Sequence, residues 1–253
     1  MKQLPTPLLT AGLLLSAFTA SAQTTFSLGL RGGANRALTT VDPASTYSSV
    51  TDTKSAADKS SIFAWQAGVV AEARFGKFAV QPGLLFSQKG EKFTTSYVRE
   101  GVSVNQREAT NRYNWLEVPL NFVYTLHGDH GLQIFAGPYV ALGVGGRQRG
   151  DAFTTPLFSN TQLPVFPTGF DAALSYGPGT TNQRLDAGLN FGFGYRQGPI
   201  QVQVGYGLGL RNLHQSATSA AIDPGFSPGY HNFNSDTAYN RVVQLTGTYF
   251  FSL

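Results

Sequence analysis

The stretch GPIQVQVGYGLGLR, residues 198–211, alternates in character at every residue. Successive side chains of a β-strand point to opposite faces of the sheet. In an extended strand, one face would hold the apolar residues from Ile200 to Leu210. The other face would hold Gln201, Gln203, three glycines and Arg211. The pattern therefore predicts a strand with one wholly apolar face and one face of polar side chains and glycines, which have no side chain.

The same alternation recurs along the chain, whereas no segment shows a helical period or an uninterrupted apolar run long enough for a membrane helix. It predicts eight strands, at 25–35, 62–75, 78–88, 113–126, 131–145, 184–197, 198–211 and 240–253.

The connections between these strands alternate between short and long. Tight turns are predicted at Gly76-Lys77, at 127–130 and near Gly198. The other connections, rich in Ser, Thr, Asn, Gly and Pro, are four long loops predicted at 36–61, 89–112, 146–183 and 212–239. In a meander this places all long loops at one end. We therefore predict an all-β fold, an eight-stranded antiparallel up-and-down transmembrane β-barrel.

The apolar face is expected to meet lipid because a sheet can span a membrane only when it is closed and apolar outside. Composition agrees, since charged residues make up 13% of the chain, against about 25% in soluble domains. A soluble ligand-binding barrel would place its apolar face inside and its polar face outside. That alternative requires a lining of Arg and Gln, so we consider it weaker.

The polar face must then line the interior. In an eight-stranded barrel the interior is just wide enough for side chains to fill it. Inward glycines would make room for longer neighbours. Because an unpaired interior charge costs several kcal/mol, we expect the charges to pair as a packing network and not to line a diffusion pore. The predicted lumen network comprises Arg31, Glu72, Arg74, Glu117, Asp186, Arg196, Gln201 and Gln203.

Outward aromatic residues cluster near the tight turns, as in the interfacial girdle of a membrane barrel. The predicted girdle comprises Phe75, Phe78, Tyr124, Tyr195 and Phe251, with Trp65 and Phe86 assigned to a second girdle at the opposite end. Aromatic residues also favour strands in general. Three prolines, Pro82, Pro119 and Pro138, fall inside predicted strands, where bulges or unpaired positions are expected.

The first 22 residues read as a secretory signal peptide, with Lys2, an apolar segment at 8–18 and the Ala20-Ser21-Ala22 cleavage site. Cleavage near Ala22-Gln23 would leave residues 23–253 as the barrel domain. The chain has no cysteine, so neither a lipidated N-terminal cysteine nor a disulfide framework is expected. The small net charge of +4 gives no indication of a nucleic-acid partner.

Several segments resemble one known family: LRGGAN (30–35), VQPGLLFSQKG (80–90), NWLEVPLNFVY (114–124), IFAGPYVALG (134–143), LDAGLNFGFGYR (185–196) and QLTGTYFFSL (244–253). They are similar to the PorT-like outer-membrane β-barrels of the porin family, whose architecture is similar to the OmpA transmembrane domain. The resemblance implies location in the outer membrane of a Gram-negative bacterium. The C-terminal segment resembles an outer-membrane assembly signal, although it ends in Leu253 where an aromatic residue is usual.

Signs of catalytic or metal chemistry are sparse. His127 and His130 share the turn HGDH with Asp129, which we interpret as a solvated turn more readily than as a metal site. The string GFGYRQG (192–198) lacks the following helix of a nucleotide loop. We predict no catalytic residue, no metal and no cofactor.

An outer-membrane barrel enzyme of the lipase, deacylase or protease type is the main alternative. It would draw on His214 or His231 with Asp223 or Asp236 and a loop serine. We instead expect a structural, binding or limited transport role. Outer-membrane lipid, the assembly machinery and an unknown partner of the long loops are the expected partners. The segment 160–180 is expected either to pack on its own barrel or to act as a lid or binding loop.

Overall fold

The computed structural model describes residues 24–42, 53–99, 103–127, 130–156, 167–177, 180, 182–214 and 237–252. The predicted signal peptide and cleavage site lie outside these residues. Within them the chain forms nine strands: β1 (Thr25–Asp42), β2 (Thr53–Phe75), β3 (Phe78–Arg99), β4 (Ser103–His127), β5 (His130–Pro156), β6 (Thr168–Ala173), β7 (Leu185–Gln197), β8 (Ile200–Gly209) and β9 (Thr237–Ser252). None of the described residues forms a helix long and apolar enough to cross a membrane.

Eight of these strands close into a ring. Neighbours pair antiparallel in the order β1-β2-β3-β4-β5-β7-β8-β9, and β9 pairs back onto β1. This confirms the predicted eight-stranded antiparallel barrel. The sixth strand, β6, pairs with β5 beyond the end of β7, where Arg147 pairs with Ala173.

The strand register fixes the tilt and height of the barrel. Successive pairing partners around the ring lead from Phe26 to Ala73, Val80, Phe122, Ala136, Phe191, Tyr206, Val243 and finally Arg36. One circuit thus advances 36 − 26 = 10 residues along β1. With strands rising about 3.3 Å per residue and neighbours about 4.8 Å apart, this stagger corresponds to a tilt of roughly 40°. Ten residues then climb about 25 Å, the height of the apolar band of a membrane barrel.

The wall is apolar outside and largely polar inside. Outward residues such as Phe63 (72% exposed), Ile134 (62%) and Phe193 (61%) leave their side chains uncovered. The buried residues include a large set of Gln, Asn, Thr, Arg, Lys and acidic side chains. This is the inverse of a soluble protein and follows the predicted parity in all eight strands of the ring.

The predicted strand limits are wrong at the long-loop end, because five strands, β1 to β5, continue at least seven residues beyond them. Strand β2 begins at Thr53, β5 runs to Pro156, and only residues 100–102 separate β3 from β4. The apolar alternation stops where the exterior becomes polar, yet backbone pairing needs no apolar side chain and continues. We call this extension, formed by 53–61, 91–99, 103–112, 147–156 and β6, the outer sheet.

The three prolines leave unpaired positions without shifting the register. No ladder pair joins 71–72 to 81–82, 83–84 to 118–119, or 120–121 to 137–138. Each gap lies between a proline and the preceding strand, because proline has no N–H to donate. The register shifts of the described strands lie elsewhere, at Ser61/Gln66, at Asn114/Trp115 and at Thr125/His127.

Glycines on the inner face of β7 and β8 make room for aromatic rings from β5. A Cβ at Gly192 or Gly205 would lie 2.9 or 2.8 Å from the ring of Phe135. A Cβ at Gly188 would lie 2.8 Å from the ring of Tyr139. The glycines of β7 and β8 therefore accommodate bulky side chains from the adjoining strand β5, where Phe135 pairs with Gly192 and Tyr139 with Gly188.

Gly205→Ala should destabilise the barrel by about 1–3 kcal/mol, because the added methyl overpacks against Phe135. Thermal unfolding of the full chain in detergent measures the effect. Gly247→Ala is the matched control, since no described atom lies within 4 Å of a Cβ there. Adding Phe135→Leu should recover part of the loss. Equal unfolding temperatures for the two alanine variants would contradict this account.

Candidate functional site

The interior at the tight-turn end holds a network centred on Glu72, which we call the lower network. Arg196 Nη1 donates to both carboxylate oxygens of Glu72 at 3.0 and 2.9 Å. Arg74 Nη2 donates at 3.3 Å, and Gln81 Nε2 donates at 2.7 Å across the gap left by Pro82. Arg31 joins through Gln81 Oε1 at 3.3 Å. One buried carboxylate thus organises three guanidinium groups.

A second cluster, the upper network, lies closer to the long-connection end. Lys89 Nζ is 2.8 Å from Glu117 Oε2 and 3.5 Å from Asp186 Oδ2. The same ammonium lies 4.4 Å from the centroid of the Tyr139 ring. Asn240 Nδ2 and the Tyr139 hydroxyl donate to Asp186 at 2.8 and 3.2 Å. Two carboxylates here share one buried cation.

All eight residues of the predicted lumen network lie inside the barrel, divided between these two clusters and the space between them. Gln201 is fully buried and donates to Gln133 at 2.6 Å. Gln203 lines a cavity of about 10 Å³ that also contacts Asn121 and Asn190. The cavity has room for about one water molecule. The described side chains thus fill this section of the barrel.

Aromatic side chains cover the upper network at the mouth. We call Tyr113, Trp115, Tyr139, Tyr176 and Leu213 the aromatic plug. The ring of Tyr176 lies 5.4 Å from that of Trp115, and its hydroxyl donates to the Gly145 carbonyl at 3.3 Å. A Cβ at Gly143 would lie 2.6 Å from the Tyr176 ring, so only glycine fits beneath it.

Tyr176 reaches the mouth on the connection between β6 and β7. The backbone N–H of Leu174 donates to the Gly146 carbonyl at 3.0 Å, which holds this connection against β5. Burial raises the pKa of the Tyr176 phenol well above its ordinary value, so the hydroxyl stays neutral. Of the segment 160–180, the part that is described packs on its own barrel, and 160–166 and 178–179 lie outside the described residues.

The inner face of the outer sheet carries a chain of polar contacts. Asn111 Nδ2 donates to Glu91 at 2.7 Å, and Gln148 Nε2 donates to Asn111 at 2.8 Å. Arg107 Nη2 donates to Gln148 at 2.6 Å and its guanidinium lies 4.2 Å from the Phe170 ring. The contacts connect β3, β4, β5 and β6 into one surface.

The outer face of the outer sheet pairs β5 with β6 through charges. Asp171 accepts hydrogen bonds from Arg147 at 2.6 Å and Arg149 at 2.9 Å. The Arg147 hydrogen bond is the main cause that lowers the pKa of Asp171 below its ordinary value. Asp171 thus favours docking of β6 at neutral pH, and its contribution is lost as the pH falls through that lowered pKa.

The predicted girdle residues lie outward at the tight-turn end. Phe78 pairs with Phe75 and with Tyr124, and the Phe78 and Tyr124 rings are 4.9 Å apart. Tyr195 and Phe251 are about half exposed on neighbouring parts of the wall. Trp65 and Phe86 stack at 5.2 Å toward the other end. Their role as interfacial girdles stays a prediction.

The residues considered for metal binding or catalysis do not form a described site. The rings of His127 and His130 lie 6.2 Å apart, while Asp129 lies outside the described residues. His214 lies at a bridge to Asn182, and His231, Asp223 and Asp236 are likewise outside the described part. In the described part of the chain, no three His, Cys, Asp or Glu side chains are grouped for a metal.

Sequence reasoning missed the central cation of the upper network. The sequence pattern predicts Lys89 in the long loop 89–112, yet in the structure it continues the inward parity of Gln81, Leu85 and Ser87 on β3. Tyr139 and Asn240 lie on the inward parity of the predicted strands 131–145 and 240–253, but the predicted network contains neither. Extending the alternation of β3 past its last apolar residue, Phe86, would have placed Lys89 inside the barrel.

Glu72→Ala should destabilise the barrel by about 3–5 kcal/mol, because it leaves buried guanidinium groups without their carboxylate. Arg74→Ala should cost less, since its side chain is 11% exposed and Glu72 keeps Arg196. Unfolding in detergent measures both, with Lys77→Ala in an exposed turn as control. Unchanged unfolding of both network variants would refute the packing role of this network.

Comparison with known proteins gives the chain a family. No curated protein sequence matches it. Among solved structures it is similar to the outer membrane protein OprG from Pseudomonas aeruginosa, at 11% identity over 92% of this chain and 99% of that one, with a TM-score of 0.35. It is also similar to a TodX monoaromatic hydrocarbon channel mutant, at 10% identity over 92% and 91% of the two chains, with a TM-score of 0.19. The model of the family described as "outer membrane protein beta-barrel domain" matches residues 21–215. Because this match spans most of the chain, the protein belongs to the outer membrane protein beta-barrel domain family.

Proposed function

We propose that this outer-membrane barrel is a closed, non-enzymatic scaffold whose work is binding at its outer sheet and not diffusion through its lumen. The observation that carries the proposal is the filled interior. The lower network, a cavity of about 10 Å³ and the upper network follow one another along the axis, and the aromatic plug covers them. A space of that size accommodates about one water and no solute.

The outer sheet supports the binding part of the proposal. Rigid scaffolds commonly carry recognition on the segments beyond one end. Here β2 to β6 extend beyond the ends of β7 and β8 at the long-connection end, so the outer sheet stands on one side of the barrel mouth. Its inner face offers Arg107, Asn111 and Gln148 in a connected polar row beside Phe170. A polar ligand or partner segment is the best match to that face.

The remaining expectations belong to the same proposal. The chain would be exported by the signal peptide at 1–22, cleaved near Ala22-Gln23 and inserted by the outer-membrane assembly machinery of a Gram-negative bacterium. The PorT-like and OmpA-like resemblance supports this route. The tight turns would then face the periplasm and the outer sheet the exterior, where an unidentified partner would bind.

In planar bilayers the full chain should produce no stable conductance steps, because the lumen is filled by buried side chains. A 16-stranded porin in the same bilayer serves as the positive control, since barrels of that size leave an aqueous channel. Tyr176→Ala should remain silent as well, because the two polar networks stay in place beneath the plug. Regular conductance steps from the wild-type chain would overturn the closed-scaffold proposal.

Liposome-lipid hydrolysis tests the enzymatic alternative. The full chain, reconstituted into phospholipid vesicles, should release no fatty acid above the level of protein-free vesicles. Release that is abolished by His214→Ala would establish the alternative and refute the non-enzymatic part of the proposal.

A further inference from the structure

Basic side chains gather on the exterior just beyond the apolar band. We call Arg36, Lys92, Arg112 and Arg241, which follow the outward parity of their strands, the basic belt. Arg36 and Arg241 lie on neighbouring strands, where Leu38 pairs with Arg241. Arg36 also lies one full circuit of the register, ten residues, beyond Phe26 (36 − 26 = 10), which is about 25 Å along the barrel axis. The belt therefore meets the membrane surface at the outer-sheet end.

No described exterior carboxylate pairs beside Arg36 or Arg241, whereas Asp58 and Glu108 lie one outward pair beyond Lys92 and Asp171 is bound by Arg147, the pairing partner of Arg112. Glu72, Glu91, Glu117 and Asp186 are buried in the interior. Asp58, Glu108, Asp151 and Asp171 lie farther out on the outer sheet. At the opposite end of the barrel, Lys77 is the exposed basic residue of the β2–β3 turn. The belt thus carries an excess of positive charge at one membrane surface.

Two belt residues converge on the most exposed of the large hydrophobic side chains described. Phe63 is 72% exposed. The Arg36 guanidinium lies 5.8 Å from the centroid of its ring, and Arg36 Nε donates to the Ser61 hydroxyl at 2.9 Å. From the other side, Arg112 Nη1 donates to the Phe63 carbonyl at 2.8 Å. Both guanidinium groups are therefore held by neutral acceptors and keep further N–H donors available.

We infer that Arg36, Phe63 and Arg112 form a binding site for a phosphomonoester-bearing lipid of the surrounding leaflet. A guanidinium matches a phosphate with two parallel N–H donors. Phe63 pairs with Arg36 and provides an exposed apolar surface beside the guanidinium groups for the first part of the acyl chains. An amphipathic ligand thus meets charge and an apolar side chain together at the upper edge of the apolar band. The inference needs only the barrel and its apolar band, and it holds whether or not the lumen conducts.

Lipid titration of the full chain in zwitterionic detergent, followed by native mass spectrometry, tests the site. The probes are didecanoyl phosphatidic acid, the phosphatidylcholine with the same chains, and inorganic phosphate. Phosphatidic acid should bind about tenfold or more tightly than phosphatidylcholine, and the double variant Arg36→Gln/Arg112→Gln should abolish that difference. Inorganic phosphate should not compete at equal concentration, because it lacks the apolar part.

Two further variants separate a specific site from general charge. Arg211→Gln removes the same charge from an exposed residue outside the belt, where Arg211 hydrogen-bonds Gln183, and should change binding by less than about threefold. Arg36→Lys/Arg112→Lys keeps the charge but loses the planar donors, so it should fall between wild type and the glutamine variant. If the glutamine double variant does not fold, the lysine double variant tests the site in its place, because it keeps both charges.

Three results would overturn the inference: wild-type affinity in both double variants, an equal loss in Arg211→Gln, or competition by inorganic phosphate at the concentration of the lipid. The first would locate binding away from Arg36 and Arg112, the second would assign it to general positive charge, and the third would assign the site to free phosphate.

Discussion

Closure of the backbone hydrogen-bond ladder is the constraint on which the rest of the structure depends. In hydrocarbon no water pairs with an exposed N–H or C=O, so a sheet that spans it must return to its own first strand. The pairing of β9 with β1 meets this demand. Once eight strands close with a stagger of ten residues (36 − 26 = 10), the barrel radius is set, and so is the narrow interior that side chains must fill.

The filling of that interior follows from the same closure. Long polar side chains face inward because the outer parity is taken by lipid-facing residues, and buried charges require partners. Glu72 satisfies several donors at once, whereas Lys89 is shared by Glu117 and Asp186. Counting only the charges of these two clusters, the lower network holds three cations and one anion, and the upper holds one cation and two anions. The lumen is thus a sequence of packed ionic layers.

Residue parity explains how much of this molecule was predictable. The alternation assigned each of the eight predicted network residues to the interior, because a strand changes face at every residue. It failed at Lys89 and in the outer sheet, where hydrophobicity no longer alternates. The exterior there meets water, so either kind of side chain is tolerated and the pattern carries no information about pairing. The contacts of Tyr176 with the mouth were also beyond prediction, because they depend on how a connection folds back in space.

The unpaired positions beside Pro82, Pro119 and Pro138 reduce the number of backbone hydrogen bonds in one part of the barrel wall. They fall on three consecutive interfaces, from β2–β3 to β4–β5, and adjoin one another on β3 and on β4. Elsewhere the paired backbone groups hold neighbouring strands together, whereas across the first of these gaps the contact is between side chains, with Gln81 donating to Glu72. A lateral force on the barrel would therefore meet fewer backbone hydrogen bonds at this patch of the wall than at the interfaces without a gap.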